Sequence, residues 1–261
     1  MTLLRHEMRQ GRTGLIVWTS IIVFMLGLCI LIYPEMATQM EGISEMFSSM
    51  GSFSEAFGMD RINFGEFIGF FGVECGNVLG LGGAFYAALL GISALAGEEK
   101  EHTAEFLLTH PISRCRTAAE KLGAVYLQLL VMNVAVLAVS ALCIAFIGEK
   151  PDLKILGLLF LAYFILQLET ASVCFGLSAF IRRGGVGLGL GLAALLYFMN
   201  IIANLTDKAD FLKYFTPFSY PEGADIIANG SLSAGYLAAG LALGIVGLIA
   251  AFWQYGKKDI L

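Results

Sequence analysis

Six apolar runs, 14–33, 67–96, 122–147, 153–181, 186–205 and 234–253, leave this chain few ways to fold. Each reaches the roughly 20 residues that an α-helix needs to cross a bilayer core. A segment that crosses lipid must satisfy its own backbone polar groups, so runs of this length become helices. The expected fold is all-α: a polytopic membrane protein with six transmembrane helices in one domain, 1–261. Composition agrees, since 57% of the residues are hydrophobic and only 14% charged, against about a quarter charged in soluble domains.

The segments between the runs carry the polar signals. Residues 1–13 hold Arg5, Arg9 and Arg12, and LLRHEMRQ has apolar and basic residues at helical spacing, as in an elbow helix lying along the inner membrane surface. The run that follows is longer than a signal-peptide core and has no small-residue cleavage site behind it, so it reads as an uncleaved first span. Residues 34–66 form an acidic external loop in which Met46, Phe47, Met50, Phe53 and Phe57, at intervals of three and four, predict an interfacial helix. Asn63 and Glu66 offer a cap for the second span, and Asp152, after the tight turn at 148–152, offers one for the fourth. A second external loop, 206–233, contains Pro217 and Pro221, with Ser219 and Glu222 placed to cap a short helix.

Six spans put both termini on one side, and basic residues choose it. Eleven of the 16 lysines and arginines fall on the terminal side, leaving Arg61, Lys150, Lys154, Lys208 and Lys213 opposite. The positive-inside rule then makes both termini cytoplasmic and puts the chain in the cell membrane.

This orientation also places the charged island 98–121, EEKEHTAEFLLTHPISRCRTAAEK, in the cytoplasm. Glu98, Glu99 and Glu101 favour a helix N-terminus, and Phe106, Leu107 and His110 follow on one side. Pro111 ends that helix, and Thr117 with Glu120 has capping-box spacing, predicting a restart near Ala118. At Glu98-Glu99, Thr103, Leu107-Leu108, Pro111, Ser113-Arg114 and Lys121 the island resembles the cytoplasmic loop of ABC-2 type ABC transporter permeases, with His102 in place of a glycine before the threonine. His6-Glu7, Trp18, Tyr33-Pro34 and Ala56-Phe57-Gly58 extend the resemblance upstream. It implies a coupling helix that docks on a separate cytoplasmic ATPase subunit, with Glu98, Glu99, Thr103, Phe106, Leu107, Leu108, Pro111 and Arg114 at the contact. It also implies a second permease, identical or not, and export of an amphipathic peptide, lipid-like compound or drug, with sodium extrusion and other small cargo as alternatives. ATP and magnesium would then belong to the partner ATPase, with no cofactor bound by this chain.

Two carboxylates interrupt the apolar runs, Glu74 in the second and Glu169 in the fourth. A charge at the bilayer centre costs roughly 2.5–3.5 kcal/mol on insertion scales, so such a group should face the bundle interior, find a partner, or be protonated. Glu169, beside Gln167 and Thr170, lies near mid-span, whereas Glu74 is close to the outer boundary. These three, Glu169, Gln167 and Glu74, are candidates for a substrate path or for plain packing contacts. Glycines at four-residue spacing, Gly72-Gly76-Gly80, Gly187-Gly191 and Gly240-Gly244, fit close helix packing. An ion-coupled carrier using Glu74 and Glu169 is the alternative function. A membrane enzyme would need a nucleophile elbow or paired intramembrane acids, and neither pattern occurs. The five cysteines show no metal-ligand spacing, 184–191 lacks the spacing of a phosphate loop, and the basic residues form no nucleic-acid-binding stripe.

Overall fold

The computed structural model describes residues 2–37, 51, 65–100, 113–181 and 185–257, and among them regular structure is helical. A short α1, Thr2–Gln10, turns at Gly11 into α2, Arg12–Ala37. The second span is composite: α3, Phe67–Cys75, a π-helical stretch, Gly76–Leu81, and α4, Gly82–Lys100. Then come α5, Arg114–Ile147, α6, Leu153–Ser178, and α7, Val186–Leu205. A 3₁₀ segment, Asp207–Tyr214, and the short α8, Gly223–Asn229, lead into α9, Ala234–Lys257. Six of these helical units are long and apolar enough to cross a membrane.

Which spans sit centrally follows from polarity. The second and fourth spans have the lowest mean hydropathy, 1.9 and 1.8, while the first and third reach 2.8 and 2.6. Lipid solvates the most apolar surfaces at no cost, so the spans carrying polar side chains are drawn inward. The second and fourth are indeed buried over 56% and 67% of their most apolar stretch, against 17–28% for the other four. The contact of α4 with α6 is the most extensive in the molecule, and α9 covers the other side of α6. Outward-facing side chains such as Phe24, Leu142 and Phe146 are left for the lipid.

Several boundaries differ from the sequence reading. Helix α2 continues through Pro34 to Ala37, since a proline in the last turn forfeits only one backbone bond. Tyr33, just before it, packs edge-on to Phe67 at 5.1 Å and donates to the Gly65 carbonyl at 3.1 Å. Helix α5 starts at Arg114, not near Ala118. The Thr117 amide already donates to Ser113 O at 3.1 Å, which removes the orphan donor a capping box would serve, and Glu120 turns instead to the Leu4 amide and to Arg116. Glu66 occupies the N-cap position of α3 without a side-chain bond, and Asn63 lies outside the described residues, as does the interfacial helix expected around 46–57. Asp152 does cap α6, accepting from the Lys154 amide at 2.8 Å, and that helix ends at Ser178, short of 181.

The largest departure is in 206–233. Its composition suggests a solvated loop, yet Thr216 to Tyr220 are buried. Thr216 donates its hydroxyl to the Leu196 carbonyl at 2.7 Å, nine residues before the end of α7, hence about 13 Å of helix rise inside it. Non-helical backbone is tolerated at such depth only when protein covers it. Helix α8 then lies directly on α3: a Cβ on Gly223 would stand 2.9 Å from Gly72 O. Ser219 does not cap α8; its hydroxyl donates to the Lys213 and Thr216 carbonyls, and Glu222 holds the N-cap position without a capping bond.

Candidate functional site

Two polar constellations stand out, one at the end of the bundle where α1 lies and one inside it. At the first, Lys121, the one buried basic side chain among the described residues, donates to Glu7 Oε1 and to the Ala94 carbonyl, both at 2.9 Å. Glu7 is on α1, Ala94 near the end of α4 and Lys121 in the first turns of α5, so one ammonium joins the N-terminal helix to both flanks of the 98–116 segment. Next to it Glu120 Oε2 accepts from the Leu4 amide at 3.3 Å, a second tie between α1 and α5. Lys121→Met would leave the Ala94 carbonyl and the half-buried Glu7 without this donor, at a cost of about 1–3 kcal/mol. The exposed Arg116–Glu120 pair contributes little, because solvent and salt screen it. We expect Lys121→Met to lower the melting temperature of the detergent-purified chain clearly, with Arg116→Met close to wild type; equal melting of the two variants would count against the junction.

Inside the bundle, the π-helical stretch throws the backbone of the second span out of register, and polar side chains make up the difference. Gln167 Nε2 donates to the Leu79 carbonyl at 3.2 Å, and Gln167 Oε1 accepts from Asn133 Nδ2 at 2.6 Å. This chain joins the third, fourth and second spans. Tyr86 to Gln128, 3.2 Å, and Tyr126 with Ser172, 2.6 Å, add further links between the same three. The tyrosine at 163 lies against the glycines of the π-helical stretch, where a Cβ on Gly76 or Gly80 would stand 2.9 Å from its ring or hydroxyl. Gly240 in α9 likewise makes room for the Glu169 carboxyl, to which an added Cβ would come within 2.5 Å, whereas Gly187 and Gly191 face open space.

Glu169 is buried, at 3% exposure, and its partner is neither Gln167 nor Thr170 but Tyr220, whose hydroxyl donates to Oε2 at 2.9 Å. Oε1 has no hydrogen-bond partner among the described residues. A phenol is neutral at physiological pH, so the Tyr220 hydroxyl is available as the donor. Glu74 is half-buried, and Cys29 Sγ lies 3.6 Å from its Oε2. The two intramembrane carboxylates therefore have different hydrogen-bond partners among the described residues.

The family model described as ABC-2 family transporter protein matches residues 1–260. The chain belongs to the ABC-2 transporter family. Comparison with curated proteins returns no match. Membership makes it a multi-pass permease, the transmembrane part of an ABC transporter, and implies association with an ABC ATPase. Of the residues the sequence assigned to ATPase contact in this ABC-2 permease, Glu98 and Glu99 are in the last turn of α4, Arg114 opens α5, and Thr103, Phe106, Leu107, Leu108 and Pro111 lie outside the described residues. Sequence reasoning missed the link of Lys121 to Glu7, although Glu7 falls at helical spacing in a basic segment. It also missed Tyr220 and Asn133. An aromatic in a proline-containing loop carries no signal of burial, and a lone asparagine in an apolar run carries none of its partner.

Proposed function

We propose that this ABC-2 permease is half of the membrane part of an ATP-driven exporter, paired with a second permease and coupled to its ATPase through 98–116. In this reading the termini and 98–116 face the cytoplasm, the complex resides in the cell membrane, and ATP and magnesium bind in the partner ATPase. Closure of the ATPase pair on ATP pushes on the two coupling segments and shifts the membrane halves. The cargo is an amphipathic peptide, lipid-like compound or drug.

The observation that carries the reading is the Lys121 junction. A push on 98–116 arrives at the ends of α4 and α5, and α4 packs along the length of α6. Rigid helices meeting at a charged junction transmit displacement in a way that a loosely tethered loop would not.

Two measurements on one preparation test it. Pull-down of the tagged chain from its native membrane should recover an ATPase subunit, and the chain stripped of partners should hydrolyse no ATP. Robust turnover by the stripped chain, or pull-downs that never contain an ATPase, would remove the reading.

A further inference from the structure

Three arginines at the end of the bundle where α1 lies share one exposed face. Arg5, Arg9 and Arg12 are all exposed, and their spacing of four and three residues stacks them along one side of a helix. Gly11 does not break the phase. Its amide donates to Glu7 O and the Leu15 amide donates to Gly11 O, both at 2.9 Å, so helical bonding runs from α1 into α2. At about 100° per residue the three arginines and Ile16 fall within about 60° of one another.

The other side of α1 is taken by protein. Glu7, the one carboxylate of α1, is held by Lys121, and a Cβ on Gly11 would stand 2.5 Å from Gln128 Oε1 of α5. The carboxylate of Glu120, the other acid at this junction, is engaged by Arg116 and the Leu4 amide. No ion pair of Arg5, Arg9 or Arg12 occurs among the described residues. Like charges three and four residues apart on a helix repel, so the face calls for a counter-charge from outside the chain.

What lies opposite follows from where the face leads. Ile16, about one turn beyond Arg12, is 55% exposed at the start of a membrane span, so acyl chains cover it. The head groups of those same lipids then lie beside the arginines. Arg5 to Arg12 covers about 10 Å of helix rise, enough to cross a head-group layer of roughly 5–8 Å in one leaflet. A guanidinium fork matches phosphate oxygens in pairs.

We propose that Arg5, Arg9 and Arg12 form a binding surface for the phosphates of anionic lipids in the leaflet at this end of the bundle. A choline lipid brings its own cation with its phosphate, whereas a lipid of net negative charge neutralises the face. The surface needs only that α2 crosses the membrane; it depends neither on an ATPase nor on export, and so goes beyond the function proposed above.

The test titrates the delipidated full chain in detergent with phosphatidylglycerol or phosphatidylcholine of the same acyl chains, and native mass spectrometry counts the bound lipid. Phosphatidylglycerol should bind more tightly. Arg5→Gln, Arg9→Gln and Arg12→Gln combined should weaken it by about a hundredfold, about fivefold per arginine, with phosphatidylcholine unchanged. Arg116→Gln, a charge lost from the same end of the bundle but off this face, should leave phosphatidylglycerol binding at the wild-type level. Where the triple variant folds poorly, the single variants decide. Equal affinity of the wild-type chain for the two lipids overturns the proposal, as does phosphatidylglycerol binding unchanged by the arginine substitutions. Equal weakening by Arg116→Gln also overturns it, since diffuse charge would then suffice. Unchanged lipid binding with loss of ATPase recovery in a pull-down would overturn it in favour of a protein partner for this face.

Discussion

A permease carrying Leu107→Asp together with Leu108→Asp should lose its ATPase. Between Glu98 and Pro111 the only large apolar side chains are Phe106, Leu107 and Leu108, and a contact built on this stretch must take its apolar burial from them. Anchors of this kind cost at least about 2 kcal/mol each when removed, so the pair amounts to about a thousandfold in affinity. Two carboxylates desolvated against the ATPase would weaken it further. The membrane fold should survive, because 101–112 lies between α4 and α5 and outside the spans. The readouts are ATPase recovery in a pull-down and the melting temperature of the chain itself. Undiminished recovery would sink the docking role of this stretch, and loss of recovery with a collapsed melting temperature would show misfolding instead.

The second large effect is expected at Glu169 and Tyr220, where packing and transport make opposite predictions. Tyr220→Phe withdraws the one hydrogen-bond donor that reaches this buried carboxyl among the described residues, and Glu169→Ala orphans a buried phenol while opening a void beside Gly240. Either change costs about 1–3 kcal/mol. That loss falls on the attachment of 216–222 to the bundle, so amides there should exchange with deuterium roughly tenfold to a hundredfold faster. Glu169→Gln keeps an acceptor for the Tyr220 hydroxyl, and exchange, assembly and transport should stay near wild type. Normal assembly of Glu169→Gln with a loss of cargo-stimulated ATP turnover would overturn the packing role and move Glu169 into the substrate path. Unaltered exchange in Tyr220→Phe would show that the buried segment is held by its other contacts, Thr216 to Leu196 foremost.

What the sequence determined by itself is the set of features that depend on local chain chemistry in a known solvent. Lipid forces every crossing segment to close its own hydrogen bonds, so runs of 20 or more apolar residues could be read as helices without knowing any neighbour. Helix α7 begins and ends where its apolar run does, and Asp152 caps α6 because a cap is a contact between residues two apart. The resemblance to ABC-2 permeases was legible in the sequence too, and the family match over residues 1–260 agrees with it.

Tertiary structure decided everything that depends on partners distant in sequence. Thr117 and Glu120 have capping-box spacing, but Glu120 is drawn to Leu4, 116 residues away, by the approach of α1. Glu169 stands beside Gln167 and Thr170 in sequence, yet in a helix those neighbours point to other faces, Gln167 is taken by Leu79 and Asn133, and the donor comes from Tyr220. Within 206–233, polar enough for a surface loop, Thr216 to Pro221 are buried because they fill a space left by α3, α6 and α7, where the Thr216 and Ser219 hydroxyls find partners within the protein. Hydropathy measures transfer from water to lipid one residue at a time, and it is blind to a polar segment whose hydrogen bonds are completed by helices far along the chain.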